Sequence, residues 1–305
     1  MSYMLNNFLN SGPNKYANNL HENFIALEKA ISITPKKKKK AVDSMFAIQE
    51  KLVSYFTKIK HFGYYNFDQQ GSYKMNTMVL GKDNAYDIDF GIHSIEEPSV
   101  TSKTLKQHIY NALSEHTQYG IVNKDKCVRV IYSGDFDIDV TAYYKTKEMT
   151  HPMLATNNGW QKSDPKKLIE WFKSKNSNNG QLTRLVKYLK YWANTKSRKM
   201  PSGIALTVLV ANNFKADARD DLSFYYTLKN IYSDIDSILN IWNGFEVINP
   251  TTPNDNLVKK LDKKQLDNFK HELNELIVSM KKVLDLGYKE QGITLLKTQF
   301  GSKFI

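Results

Sequence analysis

Tyr86-Asp87-Ile88-Asp89-Phe90 and, further along, Phe136-Asp137-Ile138-Asp139-Val140 are the stretches on which the reading of this 305-residue chain turns. In both, apolar residues alternate with acids, the period of a half-buried strand. Residues i and i+2 of a strand share a face, so Asp87 stands beside Asp89 and Asp137 beside Asp139, each pair opposite an apolar face. Carboxylates that close repel unless protons or cations intervene, and hard oxygen donors suit Mg²⁺ or Mn²⁺. A third Asp-Ile-Asp, at 234–236, sits among Ile231, Ile235, Ile238 and Trp242, which follow helical spacing. There, residues two apart diverge by about 200°, so this copy is expected on a helix surface and carries no site.

Upstream of the first acidic pair, Gln70-Gly71-Ser72-Tyr73 follows a strand-like segment. A Gly-Ser turn lets backbone N–H groups and a hydroxyl approach a phosphate closely. Alone it is a turn signal. Followed by an Asp-x-Asp strand and a further strand acid, it describes a site for nucleotidyl transfer: phosphate cradle, carboxylate pair, third carboxylate.

Around these motifs, strands are expected at 64–69, 86–92, 127–132 and 136–144, with a helix at 102–115 and a hairpin turn at Ser133-Gly134-Asp135. Before them, Tyr16, Leu20, Phe24, Leu27 and Ile31 place a helix within 14–33. Thr34-Pro35 then opens a long helix whose apolar positions run from Val42 to Ile59. Its five consecutive lysines, 36 to 40, read as solvated first turns, with a nucleic-acid patch as the alternative. From Asp164 onward the pattern is helical, at 165–174, 181–195, 202–214, 221–242 and 264–286, with 249–256 as the main loop. A small mixed sheet followed by a helical lobe is an α+β arrangement.

On helix 181–195, Leu182, Leu185, Val186, Leu189 and Trp192 fall within about 120° of one another, with Arg184, Lys187 and Lys190 on the other side. That side reads as a solvated stripe or as a cationic face turned to a ligand. The whole chain carries 43 Lys and Arg against 31 Asp and Glu, a net charge of +12, which suits a polyanionic partner or a solvated lysine-rich surface. Apolar residues at 41% exclude wholesale disorder. The longest apolar stretch, 203–211, is far short of the roughly 20 residues of a membrane span, and the opening MSYMLNNFLNSG lacks a signal-peptide pattern. One cysteine, Cys127, forms no internal disulfide and no multi-cysteine zinc site, so a cytoplasmic protein without membrane contact is expected. The seven histidines show no metal spacing, and Ser72 has no His/Asp pattern of a hydrolase triad.

GSYKMNT, YDIDFG and FDIDVTAYY, in that order, resemble the polymerase-β-type nucleotidyltransferase superfamily. Asn158-Gly159-Trp160-Gln161, Ser163-Asp164-Pro165, RLVKYLKYWAN at 184–194, Pro201-Ser202, NPTTPNDN at 249–256 and the closing Phe300-Gly301-Ser302-Lys303-Phe304 narrow the resemblance to the CD-NTases, bacterial relatives of cGAS that make signals in CBASS antiphage defence. Asn76 stands where a glycine often precedes the Thr77 position.

The resemblance implies a bilobal fold, with a nucleotidyltransferase core and spine helix over 1–160 and a helical domain over 161–305. It implies Asp87, Asp89 and Asp139 as catalytic and metal-binding residues, holding two Mg²⁺ ions for which Mn²⁺ can substitute. Gly71, Ser72 and Lys190 would bind the nucleotide, with Lys187 and Ser202 as further candidates. Asp139 is preferred to Asp137 because the family acid lies just before the Val-x-x-Tyr stretch. The implied substrates are nucleoside triphosphates, and the implied product is a purine cyclic dinucleotide, c-di-GMP or cGAMP, read by a separate effector protein. Without a cysteine-rich zinc thumb, direct activation by DNA is not expected. A template-independent RNA nucleotidyltransferase, a drug- or protein-modifying transferase and a non-enzymatic binding module are the rival readings.

Overall fold

The computed structural model describes residues 16–59, 65–81, 83–133, 136–176, 179–239, 244–252 and 254–305. The expected elements touch 14, 15, 64, 134, 135 and 240–242, and the opening MSYMLNNFLNSG covers 1–12; all of these lie outside the described residues.

The period-two segments form the central strands β2 (Tyr86–Ser94) and β5 (Phe136–Tyr144), which pair in parallel. Around them lie β1 (Tyr65–Gln69), β3 (Ile121–Asn123), β4 (Val128–Tyr132), β6 (Met153–Thr156) and β7 (Gly159–Lys162), in the order β1-β2-β5-β4-β3, with β6 on β5 and β7 on β6. All these other pairings are antiparallel. Strands β3, β6 and β7 went unread because they are only three or four residues long, too short to display a period. A parallel pair cannot be closed by a hairpin, so the chain crosses through α4 (Ser102–Leu113), started by Thr101 Oγ1 accepting from the Thr104 amide at 3.2 Å.

One face of the sheet is apolar. Ile88, Phe90 and Ile92 of β2, Val128 and Val130 of β4, and Ile138 and Val140 of β5 are buried under α2 (Pro35–Ile59) and α4. From α2 come Met45, Ile48, Leu52 and Phe56, and from α4 Leu105, Ile109 and Leu113. Lys36 to Lys40 occupy the first turns of α2, as expected. The opposite face of β2 and β5 carries the acids.

A second apolar cluster unites α1 (His21–Ile31) with α5 (Pro165–Lys175), α6 (Gln181–Thr195), α7 (Gly203–Asn213), α8 (Asp220–Leu239), α9 (Lys263–Asp285) and α10 (Lys289–Phe300). The short α3 (Gly71–Lys74) lies on the sheet side. Helix α1 is shorter than the spacing suggested: Tyr16 and Leu20 are buried but precede it. Although N-terminal, α1 packs with the helical cluster, where Phe24 meets the rings of Tyr188, Phe224, Phe300 and Phe304 at 5.1, 5.7, 5.9 and 5.2 Å. Asp234 and Asp236 lie on helix α8, as the helical spacing required. No described helix is long and apolar enough to cross a membrane.

Phe24 therefore ties the first helix to the last residues. Phe24→Ala should lower the unfolding free energy by about 3–5 kcal/mol, whereas Val278→Ala on an exposed face of α9 should change it by less than about 0.5 kcal/mol. Urea unfolding followed by circular dichroism measures both.

Candidate active site

The parallel register of β2 and β5 sets Asp87 beside Asp137 and Asp89 beside Asp139. Alternation turns all four carboxylates to the face away from α2 and α4. A fifth charged side chain on this face had not been singled out. Arg129, between Val128 and Val130 on β4, pairs in register with Asp139. Its Nε and Nη2 donate to both oxygens of Asp139 at 2.7 and 2.8 Å, and its Nη1 donates to Asp137 Oδ2 at 2.9 Å. Nη2 also stands 3.2 Å from Asp87 Oδ2. The signal was in the sequence, in the alternation Val128-Arg129-Val130, but only the pairing with β5 says which acid it meets.

The Gly-Ser turn arrives at the same face. Gln70 N donates to Asp89 O at 2.9 Å, and Gly71 then turns with φ of +55°. A Cβ on Gly71 would lie 1.9 Å from Asp89 Oδ2, so glycine is required both for the turn and for the close approach. The turn is latched from behind: the Gln70 amide donates to His93 Nε2 at 2.7 Å, and Tyr143 Oη donates to Gln70 Oε1 at 3.4 Å. Burial and the nearby Lys166 push the His93 pKa down to about 4, leaving the neutral ring able to accept that bond. His93 also stacks on Tyr143 with ring centroids 4.9 Å apart. Asn76 adopts φ of +55°, the left-handed conformation that explains why a glycine is an alternative there.

Across from the sheet, α6 is buried on nearly all sides. The solvated-stripe reading of its cations is therefore corrected: each is paired. Arg184 donates to Asp220 at 2.6 and 2.8 Å. Lys187 donates to Glu28 Oε1 at 2.5 Å and to Ser32 Oγ at 3.0 Å. Lys190 donates to Thr77 Oγ1 at 3.1 Å and to Thr77 O at 3.3 Å.

A cleft of about 630 Å³ lies between the two apolar clusters, and Ser72, Thr77, Asp87, Lys190, Arg198 and Ser202 line it. Gly71, Asp89 and Asp139 do not line it; they lie beside it, Gly71 next to Ser72 and against Asp89, Asp89 two residues along β2 from Asp87, and Asp139 in register with Asp89. Lys187 is not brought there: it lines a separate cleft with Glu28 and Arg184. Ser202 lines the main cleft, but its hydroxyl caps α7 by accepting from the Ala205 amide at 3.3 Å. Cys127 is a buried free thiol whose pKa burial and the nearby Asp139 push up to about 12, so it stays protonated.

Electrostatically the face is short of positive charge, with the single guanidinium of Arg129 set among four carboxylates. Removal from water, with Asp139 and Asp87 nearby, raises the Asp89 pKa to about 6. Burial lowers that of Lys190 to about 8, a shift that the Asp89 charge opposes. Clustered hard oxygen donors, of which Asp87 and Asp89 hold their protons more tightly than usual, fit a divalent cation, so Asp87, Asp89 and Asp139 are the residues that would hold one. As the side chains stand, Asp87 and Asp139 face Arg129, and among the described residues no three acid, histidine or cysteine side chains form a ready metal cage.

Residues 19–176 match the Second Messenger Oligonucleotide or Dinucleotide Synthetase domain family. The chain is 35% identical over 193 residues to a cyclic GMP-AMP synthase of Escherichia albertii, a match covering 57% of this chain and 43% of that protein. It is 25% identical over 274 residues to a c-di-GMP synthase of Roseivirga ehrenbergii, covering 76% and 71% respectively. Among solved structures, the Bradyrhizobium diazoefficiens CD-NTase CdnG with GTP superposes with a TM-score of 0.80 at 15% identity, over 94% of this chain and 96% of that one. Vibrio cholerae DncV, a cyclic AMP-GMP synthase, does so with a TM-score of 0.78 at 17% identity, over 94% and 97%. These two likenesses establish the bilobal nucleotidyltransferase fold.

Two outcomes follow from the geometry. Because folded Asp89 holds its proton up to about pH 6, while the unfolded carboxyl releases it near 3.8, stability attributable to this group falls as pH rises through that window. In chelator, Asp89→Asn should therefore melt above wild type by on the order of several degrees at pH 7, and the gain should shrink toward pH 4; differential scanning fluorimetry across pH reads it. Gly71→Ala, which must displace Asp89 and strain the backbone at positive φ, should lower the unfolding free energy by about 1–3 kcal/mol in urea unfolding, with the circular dichroism spectrum retained.

Proposed function

The chain belongs to the Second Messenger Oligonucleotide or Dinucleotide Synthetase family, the CD-NTases, and we propose that it joins two nucleoside triphosphates into a cyclic dinucleotide with release of two pyrophosphates. The observation that carries this reading is the in-register meeting of Asp89 and Asp139 against the Gly71 turn, beside the cleft that Ser72, Asp87 and Lys190 line together.

The donor triphosphate lies between a nucleotidyltransferase core, assigned to 1–160, and a helical domain, assigned to 161–305, although α1 of the first packs with the helices of the second. Backbone N–H groups and the hydroxyl of Gly71-Ser72 hold its phosphates from one side, and Lys190 neutralises them from the other. Ser202 contributes the capped N-terminus of α7, whose dipole favours an anion. Lys187, committed to Glu28, has no direct part. Two divalent ions, Mg²⁺ or Mn²⁺, held by Asp87, Asp89 and Asp139 would neutralise the triphosphate and make the acceptor hydroxyl more acidic.

Asp139 takes the proton of the acceptor ribose hydroxyl. That oxygen forms a bond to the α-phosphorus as the α–β bridging bond breaks, and pyrophosphate carries away the electron pair. Repeating the step between the ends of the linear intermediate closes the ring.

Purine bases are the proposed substrates, since the curated relatives are named for cGAMP and c-di-GMP synthesis. A separate effector in antiphage defence would read the product in the cytoplasm. With one buried cysteine the chain has no cysteine-rich DNA-gripping thumb, and direct activation by DNA is not proposed.

The test is incubation with ATP, GTP, CTP and UTP and Mg²⁺ or Mn²⁺, beside Asp87→Asn/Asp89→Asn, followed by phosphatase and mass spectrometry. A phosphatase-resistant purine cyclic dinucleotide, absent from the variant, is expected. Linear chains alone would replace this reading by the RNA-tailing one.

A further inference from the structure

The acidic face already holds a cation, and it is covalently part of the chain. Arg129 spends Nε, Nη1 and Nη2 on three different carboxylates, at distances of 2.7 to 3.2 Å. Its side chain is only 18% exposed. The register makes this unavoidable: Arg129 sits directly across from Asp139 in the β4–β5 pair, and Asp137, two residues back, lies on the same face. Lys190, the other cation near the cluster, is bonded to Thr77. Of the four acids, Asp87, Asp137 and Asp139 depend on Arg129.

We propose that Arg129 is the resident counter-cation of the metal-free site, and that a divalent cation loads by displacing its guanidinium from Asp87 and Asp139. This rests on the reading that these acids hold a divalent ion. Both oxygens of Asp139 accept hydrogen bonds from Arg129, so the carboxylate that would ligate a metal is turned to a cation that repels one. Arginine suits the role because its fork spans both oxygens of a carboxylate and it keeps its charge at any physiological pH. The arrangement also gives Asp137 a function. It contacts Arg129 through Nη1 alone, on the side away from the Asp139 fork, and so retains the guanidinium when the other two acids let go. Release from the guanidinium leaves both Asp139 oxygens open to a metal ion and to the acceptor hydroxyl. Arg129 is thus a positioning residue that keeps the empty site folded and makes metal entry an exchange.

The experiment is a Mn²⁺ titration of the full chain without nucleotide, by calorimetry, with thermal melting in chelator alongside. Arg129→Met should bind Mn²⁺ roughly five- to a hundredfold more tightly than wild type, the order of magnitude typical of a coupling between two binding events on one protein. In chelator it should melt lower, and Mn²⁺ should raise its melting point more than that of wild type. Arg129→Lys keeps the charge but cannot fork, so it should fold where the methionine variant fails and still bind Mn²⁺ more tightly than wild type. Unchanged or weaker Mn²⁺ binding in both variants overturns the exchange and makes Arg129 a prop for the ligands. Asp87→Asn/Asp89→Asn separates the two levels. If wild type binds Mn²⁺, the double variant does not, and the Arg129 variants match wild type, the exchange alone falls. If no form binds Mn²⁺, the metal reading falls and the exchange with it.

Discussion

Two parallel strands that bring four carboxylates onto one face are the constraint the remainder of this fold answers. Parallel pairing of β2 with β5 places Asp87 by Asp137 and Asp89 by Asp139, and no side-chain rearrangement can separate rows of acids fixed by backbone register. Like charges at such spacing are tolerated only if opposing charge is supplied. The neighbouring strand supplies it through Arg129, and the helical lobe brings Lys190 to the far wall of the cleft. The cost of the cluster is borne by the apolar side of the same strands, where α2 and α4 bury the alternate residues completely.

The helical lobe solves a related problem. Helix α6 runs through the interior carrying three cations, and each has found a partner on a different element: Asp220 on α8, Glu28 on α1, and Thr77 in the segment after the Gly-Ser turn. Buried charges left unpaired would be strongly destabilising, so these pairings also fix how the helices meet. The last of them crosses between the lobes, which makes Lys190 a structural tie to Thr77 as well as a side chain lining the cleft. Beside it, the Leu80 amide donates to Ile31 O at 2.9 Å, joining the same segment to the end of α1.

Much of the site was legible because strand alternation and chemistry coincide in it. The pairs Asp87/Asp89 and Asp137/Asp139 can be read from a period of two, the choice of Asp139 from the family resemblance, the Gly71-Ser72 turn from residue type, and the helical copy at 234–236 set aside from a period of 3.6. Arg129 was passed over because one basic residue in a strand is unremarkable until its partner strand is known. Helical projection, which gives only direction, does not separate Lys187 from Lys190, and only the family resemblance favours Lys190; Glu28, far away in sequence, claims Lys187, and Thr77 holds Lys190, which lines the cleft. Likewise Tyr16 to Ile31 were readable as an apolar repeat, yet nothing in that repeat says it packs beside Phe300 and Phe304 rather than on the sheet.

By itself, then, the sequence determined most of the longer elements of this protein, the acidic motifs and the face of each strand on which the acids stand, since these depend on periodicity and residue type within a few residues. Tertiary structure alone decided which carboxylates lie side by side, which cation restrains them and which lysine reaches the cleft. Those outcomes depend on contacts between segments distant in the chain, made by strand register and helix packing, and local propensity carries no information about either.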